Sequence, residues 1–216
     1  MNDPRSSSKP VIGLVGAIGA GKSTAAAVFA RRGGLVVNAD AIGHEALEQP
    51  EIRRRVLERW GNRGNLLKPD GRLDRHAIAG IVFGDPAERV ALEAIVFPYI
   101  GDRALEEIRT AQANAAAKFV VVDAAVMLEA GWEGVCDRLV YVDAPRAVRL
   151  ARLAARSRWT DADLALREAA QWPAEKKMKR ASAGIVNDGS REKLQEQVDR
   201  LLKSWGMLAA SSEALA

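Results

Sequence analysis

Val11-Ile12-Gly13-Leu14-Val15-Gly16-Ala17-Ile18-Gly19-Ala20-Gly21-Lys22-Ser23-Thr24 is the stretch from which the architecture can be read. Gly16 to Ser23 is a complete G-x-x-x-x-G-K-[ST] loop. The apolar run before it reads as a buried strand, and the Ala-rich run from Thr24 to Arg31 as a helix. Each residue type has a physical task in such a loop. Glycines let the backbone bend so that successive N–H groups face an anion. The helix beginning near Lys22 adds the positive end of its dipole. Lys22 suits the β- and γ-phosphates of a nucleotide, and the Ser23 hydroxyl suits Mg²⁺.

Outward from the loop, strands alternate with helices. Leu35–Val37, Phe119–Val122, Leu139–Val142 and Gly184–Val186 read as further short strands. The pattern predicts an α/β fold of the P-loop NTPase kind, three layers with a central parallel sheet. Residues 11–41 and 118–205 form its core, and a helical lid covers about 146–182. Residues 42–117 are all helical in pattern, too long for a simple crossover, and read as an inserted helical subdomain. Within it a helix is expected over 42–48, another over 51–61, and one capped by Asp74 to about Val82. A further helix runs from Pro86 to about Val96, and a separate long one from Pro98 to about Ala117. The polar residues 1–10 are expected to be disordered and 206–216 to be a frayed tail.

Composition narrows the classes. The 216 residues are 48% hydrophobic and 28% charged, which are globular values. Net charge is +4 and aromatics are 5%, with no stacking platform, so the acidic partner expected is a small polyphosphate and not nucleic acid. No apolar run approaches the roughly 20 residues of a membrane span. The single Cys136 excludes an intramolecular disulfide framework and suits a reducing cytoplasm. A monomer or weak homo-oligomer is expected.

In parallel sheets, ligands bind outside the carboxyl ends of the strands. Asp40, Asp123 and Asp143 all follow strands, so they gather near the phosphate loop. Two roles fit Asp40: a carboxylate that accepts a hydroxyl proton or supports Mg²⁺, and a helix N-cap. Asp123 fits either metal support or a loop cap, and Glu129 either an acceptor contact or a surface charge. Arg149, Arg152 and Arg156 share a helical face by their spacing, as a lid over polyphosphate or as a solvated basic face. Neither His44 nor His76 has a zinc-site partner pattern, and Trp159, Trp172 and Trp205 suit packing as well as ligand contact.

Taken in order, these residues resemble the dephospho-CoA kinase family over about residues 11–203. Ile12 to Thr24 is similar to the family's I-G-L-T-G-G-I-G-S-G-K-S-T, and Asn38-Ala39-Asp40 to its D-A-D. Gly71-Arg72-Leu73-Asp74-Arg75 resembles D-G-x-L-D-R, and Phe97-Pro98-Tyr99-Ile100 stands where the family has H-P-x-I. Val122 to Glu129 resembles its strand end with P-L-L and a glutamate. Arg149, Arg152 and Arg156 resemble its lid segment, Gln171 its Gln before K-x-x-x-A-D, and Ile185 to Gly189 its I-x-N-x-G. Departures fall at Phe97 for His, Ala125 for Pro, Ser182 for Asp, Asn38 for Asp and Arg149 for Gln.

The resemblance implies transfer of phosphate from ATP to the 3′-hydroxyl of dephospho-CoA, the last step of coenzyme A synthesis. It implies Asp40, Lys22 and Arg152 as catalytic residues. Gly16-Ala17-Ile18-Gly19-Ala20-Gly21-Lys22-Ser23-Thr24, Arg152 and Asn187 are implied at ATP, Arg72, Arg75, Phe97 and Glu129 at the acceptor, and Ser23 at Mg²⁺. Two other readings share the loop: a P-loop kinase for a nucleoside or nucleotide, and a nucleotide-binding switch with no acceptor. The chain lacks the guanine-reading N-K-x-D motif and has an Arg-rich segment, which argues against the switch.

Overall fold

A computed structural model describes residues 9–209; most of the expected N-terminal and C-terminal tails lie outside the described residues. Five parallel strands form one sheet in the order β2-β3-β1-β4-β5. They are β1 (Val11–Gly16), β2 (Gly34–Asn38), β3 (Phe119–Asp123), β4 (Arg138–Asp143) and β5 (Ala183–Val186). Their side chains alternate between two apolar clusters. Ile12, Leu14, Val121, Val140 and Val142 face α1 (Lys22–Ala30) and α9 (Arg191–Ser204), while Val11, Val15, Val120, Val122 and Tyr141 face the other layer. Near-continuous apolar strands are what a sheet covered on both faces requires.

The second layer is the 42–117 region. It contains α2 (Ala39–Ala46), α3 (Pro50–Trp60), α4 (Arg75–Gly84) and α5 (Pro86–Ala113). One apolar cluster runs without a break from the sheet through these helices, with Trp60 fully buried in it. Buried Glu88 of α5 accepts from Trp60 Nε1 at 2.9 Å and pairs with Arg59 and Arg63, which ties α3 to α5. The Trp60 bond, the largest of several causes, holds the Glu88 carboxyl below the usual range.

Two expectations for this layer need correction. The helices expected to break at Pro98 are one continuous α5, with Pro98 inside it. An interior proline costs about 3 kcal/mol. Burying Ile95, Val96 and Ile100 around it returns about 1.5–3 kcal/mol each, so packing prevails over propensity. Asp40 is not the cap of α2. Asn38 is, through its Oδ1 and the Ala41 N–H at 2.9 Å, which starts the helix at Ala39 and leaves the Asp40 side chain free to face inward. Asp74 and Ser190 cap α4 and α9 as expected.

After β4 come α6 (Arg146–Ser157), α7 (Asp161–Ala169) and α8 (Ala174–Arg180), which lead back to β5. Thr160 and Asp163 close a capping box at the start of α7. Edge strand β5 has its outer backbone groups occupied: Gln197 bonds both Val186 N–H and C=O at 2.8 Å. Among the described residues, no helix is long and apolar enough to cross a membrane.

Candidate active site

The register Leu14↔Asp123 and Asn38↔Asp123 places the ends of β1, β2 and β3 side by side. The loop leaving β1 therefore lies next to Asp40 and Asp123. Gly21 stands just before α1 with φ 89°, and a Cβ there would lie 2.2 Å from Asn187 Nδ2. Only glycine meets both demands.

The carbonyls of the loop are held from behind. Arg149 Nη1 donates to Ile18 O at 3.0 Å. Asn187 Nδ2 donates to Ala20 O at 2.8 Å, and Arg152 Nη1 to the same oxygen at 3.3 Å. Fixing the Ile18 and Ala20 carbonyls turns the Gly19 and Gly21 N–H groups to the other side, as in an anion-binding nest, while the Ala20 N–H donates to Ala17 O at 3.2 Å. This splits the arginine set expected on one face. Arg149 is buried and also bonds Ala144 O and Glu168, so it braces the loop and does not overlie it. Arg152 and Arg156 line the cleft above the loop with Lys22, Ser23, Thr24 and Asp40. The cleft holds about 260 Å³.

Its charges are close together. Burial pushes the Lys22 ammonium below the usual lysine range, against the pull of Asp123 and Asp40. Burial raises the Asp123 carboxyl, partly offset by a hydrogen bond with Ser23 and by Lys22. Asp123 Oδ1 is buried and has no protein partner. An exposed serine hydroxyl beside a carboxylate with a spare oxygen fits Mg²⁺, which takes one or two protein oxygens and completes its shell with phosphate and water. No cluster of three or more His, Cys, Asp or Glu with metal-holding geometry occurs among the described residues, so an all-protein cage is not the arrangement here. Asp40 Oδ1 accepts from Ala125 N–H at 3.2 Å and lines the cleft.

A second cavity, of about 400 Å³, joins this cleft, since Ile18 and Ala125 line both. It opens between α4, α5 and α7, with apolar walls from Ile78, Val82, Phe83, Leu92 and Trp159. Arg75, Arg89 and Arg167 also line it. Arg167 lies between two rings, 4.7 Å from Phe83 and 4.1 Å from Trp159, and so joins α4 to α7 and the residues before it. An apolar cavity edged with guanidinium groups, next to a phosphate cradle, suits a nucleotide-like molecule with an anionic part.

The residues expected at an acceptor divide. Arg75 lines the cavity. Arg72 is exposed and pairs with Asp70 at 2.7 Å. Phe97 packs edge-on against Trp132 at 5.3 Å, within the apolar cluster and not among the cavity-lining residues. Glu129 is not a surface charge: it pairs with Lys177 Nζ at 2.8 Å and accepts from Trp172 N–H at 2.8 Å. Arg89 and Arg167 carry no local sequence signal, because what places them is contact between segments far apart in the chain; Lys177 is the Lys of the K-x-x-x-A-D segment, but its pairing with Glu129 is set only by the fold.

A family model and the curated relatives agree on one family. Residues 10–193 match a family model described as dephospho-CoA kinase. The chain is 38% identical over 194 residues to a Deinococcus radiodurans protein named dephospho-CoA kinase, covering 89% of this chain and 90% of that one. A crystal structure from Thermus thermophilus is 34% identical with a TM-score of 0.76, covering 91% of this chain and 98% of that one. A structure of dephospho-CoA kinase from Campylobacter jejuni shares the fold, at 22% identity and a TM-score of 0.60.

Proposed function

The chain belongs to the dephospho-CoA kinase family, and from that premise we propose which residues carry its activity, the ATP-dependent phosphorylation of dephospho-CoA. The observation that carries the assignment is the juncture of the two cavities. A phosphate cradle and a 400 Å³ chamber meet at Ile18 and Ala125, with Asp40 at the join. ATP takes the cradle, with its β- and γ-phosphates against the loop N–H groups and Lys22. The adenosine end of dephospho-CoA takes the chamber, with Arg75, Arg89 and Arg167 available to its diphosphate and its ribose 3′-hydroxyl turned to Asp40.

Ser23 and Asp123 would hold Mg²⁺, which would supply charge neutralisation for the bound polyphosphate. Asp40 orients the hydroxyl and accepts its proton as the O–P bond forms. Arg152 and Arg156 stabilise the charge on the transferring group, and ADP leaves from the loop. A loose transition state places little demand on the base, so positioning and electrostatics dominate. Asn187 serves ATP by fixing Ala20 O, and Arg152 does so in part. The single cysteine supports a cytoplasmic enzyme. Arg72 and Phe97 do not line the chamber, so neither is given a direct contact with the acceptor.

Asp40→Asn tests the assignment. It keeps the shape and the Ala125 bond but loses the basic oxygen. The expected result is a kcat lowered roughly 10²-fold, the lower end for a general base, with the KM for ATP unchanged. Unchanged kcat with dephospho-CoA would remove Asp40 from the reaction.

A further inference from the structure

Lys177 is fully buried on α8, yet the transfer chemistry described above does not use it. A buried ammonium is costly unless it is paired and hydrogen-bonded. Its Nζ pairs with Glu129 at 2.8 Å, donates to Gln171 Oε1 at 2.9 Å and reaches Ala125 O at 3.5 Å. The N–H of that same Ala125 donates to Asp40 Oδ1 at 3.2 Å. Ala125 thus stands between two charged groups, with the ammonium on its carbonyl and the carboxylate on its amide. Three segments meet there: α8, the loop after β3, and the start of α2.

We propose that Lys177 is a positioning residue for phosphoryl transfer, acting through Ala125 on Asp40. The contact fixes where the Ala125 carbonyl points. Ala125 is thereby held in place, and with it the amide of the preceding peptide plane, which aims the Asp40 carboxylate at the junction of the cradle and the chamber. Glu129 balances the ammonium and also accepts the Trp172 N–H. The return segment of the lid is thereby pinned at Trp172 and Lys177 against the loop after β3. Gln171, bonded to Lys177, lines the chamber itself. An acceptor seated in the chamber therefore lies against a wall held by the same ammonium that aims Asp40. Charge–dipole contacts of this kind are stronger away from water, and they couple most where partners are shared.

This inference rests on the reading of Asp40 given above, and a double-mutant cycle keeps the two apart. The four proteins are the unchanged enzyme, Lys177→Met, Asp40→Asn and the double variant, each measured for kcat and for both KM values with ATP, Mg²⁺ and dephospho-CoA. Lys177→Met is expected to lower kcat about 10-fold, with the KM for ATP within about twofold, and to add less than about twofold in the Asp40→Asn background. A Lys177→Met loss of equal size in both backgrounds overturns the proposal while leaving Asp40 in place. An Asp40→Asn enzyme with full kcat overturns the reading beneath it. Because Lys177→Met leaves Glu129 buried and unpaired, the cycle is repeated with Lys177→Met/Glu129→Gln, in which no buried charge is stranded. A neutral pair with full kcat would also refute the role assigned to Lys177.

Discussion

Lys22→Ala is expected to lower kcat/KM by about 10³-fold, the upper end for removal of one preorganised electrostatic group. The reason lies in the position of the ammonium. It is held in the loop beneath the cleft, with Asp123 and Asp40 near enough to raise its pKa against the desolvation that lowers it. Charge placed there before the substrate arrives needs no reorganisation during transfer. The loss should exceed that of Asp40→Asn, because a loose transition state asks more of charge stabilisation than of a base. Steady-state kinetics on both variants, with thermal melting to show that each is folded, decides the ranking. Equal kcat/KM for the two would refute it. The KM for ATP should rise with Lys22→Ala, since on the proposed reading the ammonium also contacts ATP in the ground state.

Arg152→Ala is expected to cost nearly as much, about 10³-fold in kcat, the lower end of the range for an arginine that stabilises a transferring phosphoryl group. Its guanidinium bonds Asn187 O at 2.9 Å and Ala20 O at 3.3 Å and lines the cleft beside Arg156. On the proposed reading it meets the phosphates from this braced position. Arg152→Lys should recover little, because one ammonium cannot hold two carbonyls and also face the phosphates. A variant with normal kcat but weakened ATP binding would reduce Arg152 to a brace for the loop, the role Arg149 has.

Where the sequence was explicit, local geometry was enough. The phosphate loop, its strand and its helix are contiguous, and the acids after β2 and β3 fall at one sheet edge because parallel strands all end there. Helical spacing put Arg149, Arg152 and Arg156 on a common face, but spacing cannot say what that face meets. The loop carbonyls and Glu168 take Arg149, while Arg156 stays exposed at the cleft. Pro98 was misleading for a related reason. A proline signals a break locally, and the buried contacts of Ile95, Val96 and Ile100 outweigh it only in the assembled layer. The Glu129–Lys177 pair spans 48 positions and the Glu88–Trp60 bond 28, so neither leaves a periodic trace. The chamber is also a tertiary product, with walls from α4, α5 and the lid region that meet only after folding.

The most direct test of the account is turnover with a choice of acceptors. The folded enzyme is given ATP and Mg²⁺ with dephospho-CoA, adenosine or AMP, ADP release is followed by a coupled assay, and the product is identified by mass and by the position of the new phosphate. One ADP per 3′-phosphorylated dephospho-CoA is expected, with far slower turnover of the two smaller acceptors, which lack the diphosphate proposed to meet Arg75, Arg89 and Arg167. ATP hydrolysis at the same rate with and without dephospho-CoA, or transfer to adenosine or AMP as fast as to dephospho-CoA, would contradict it.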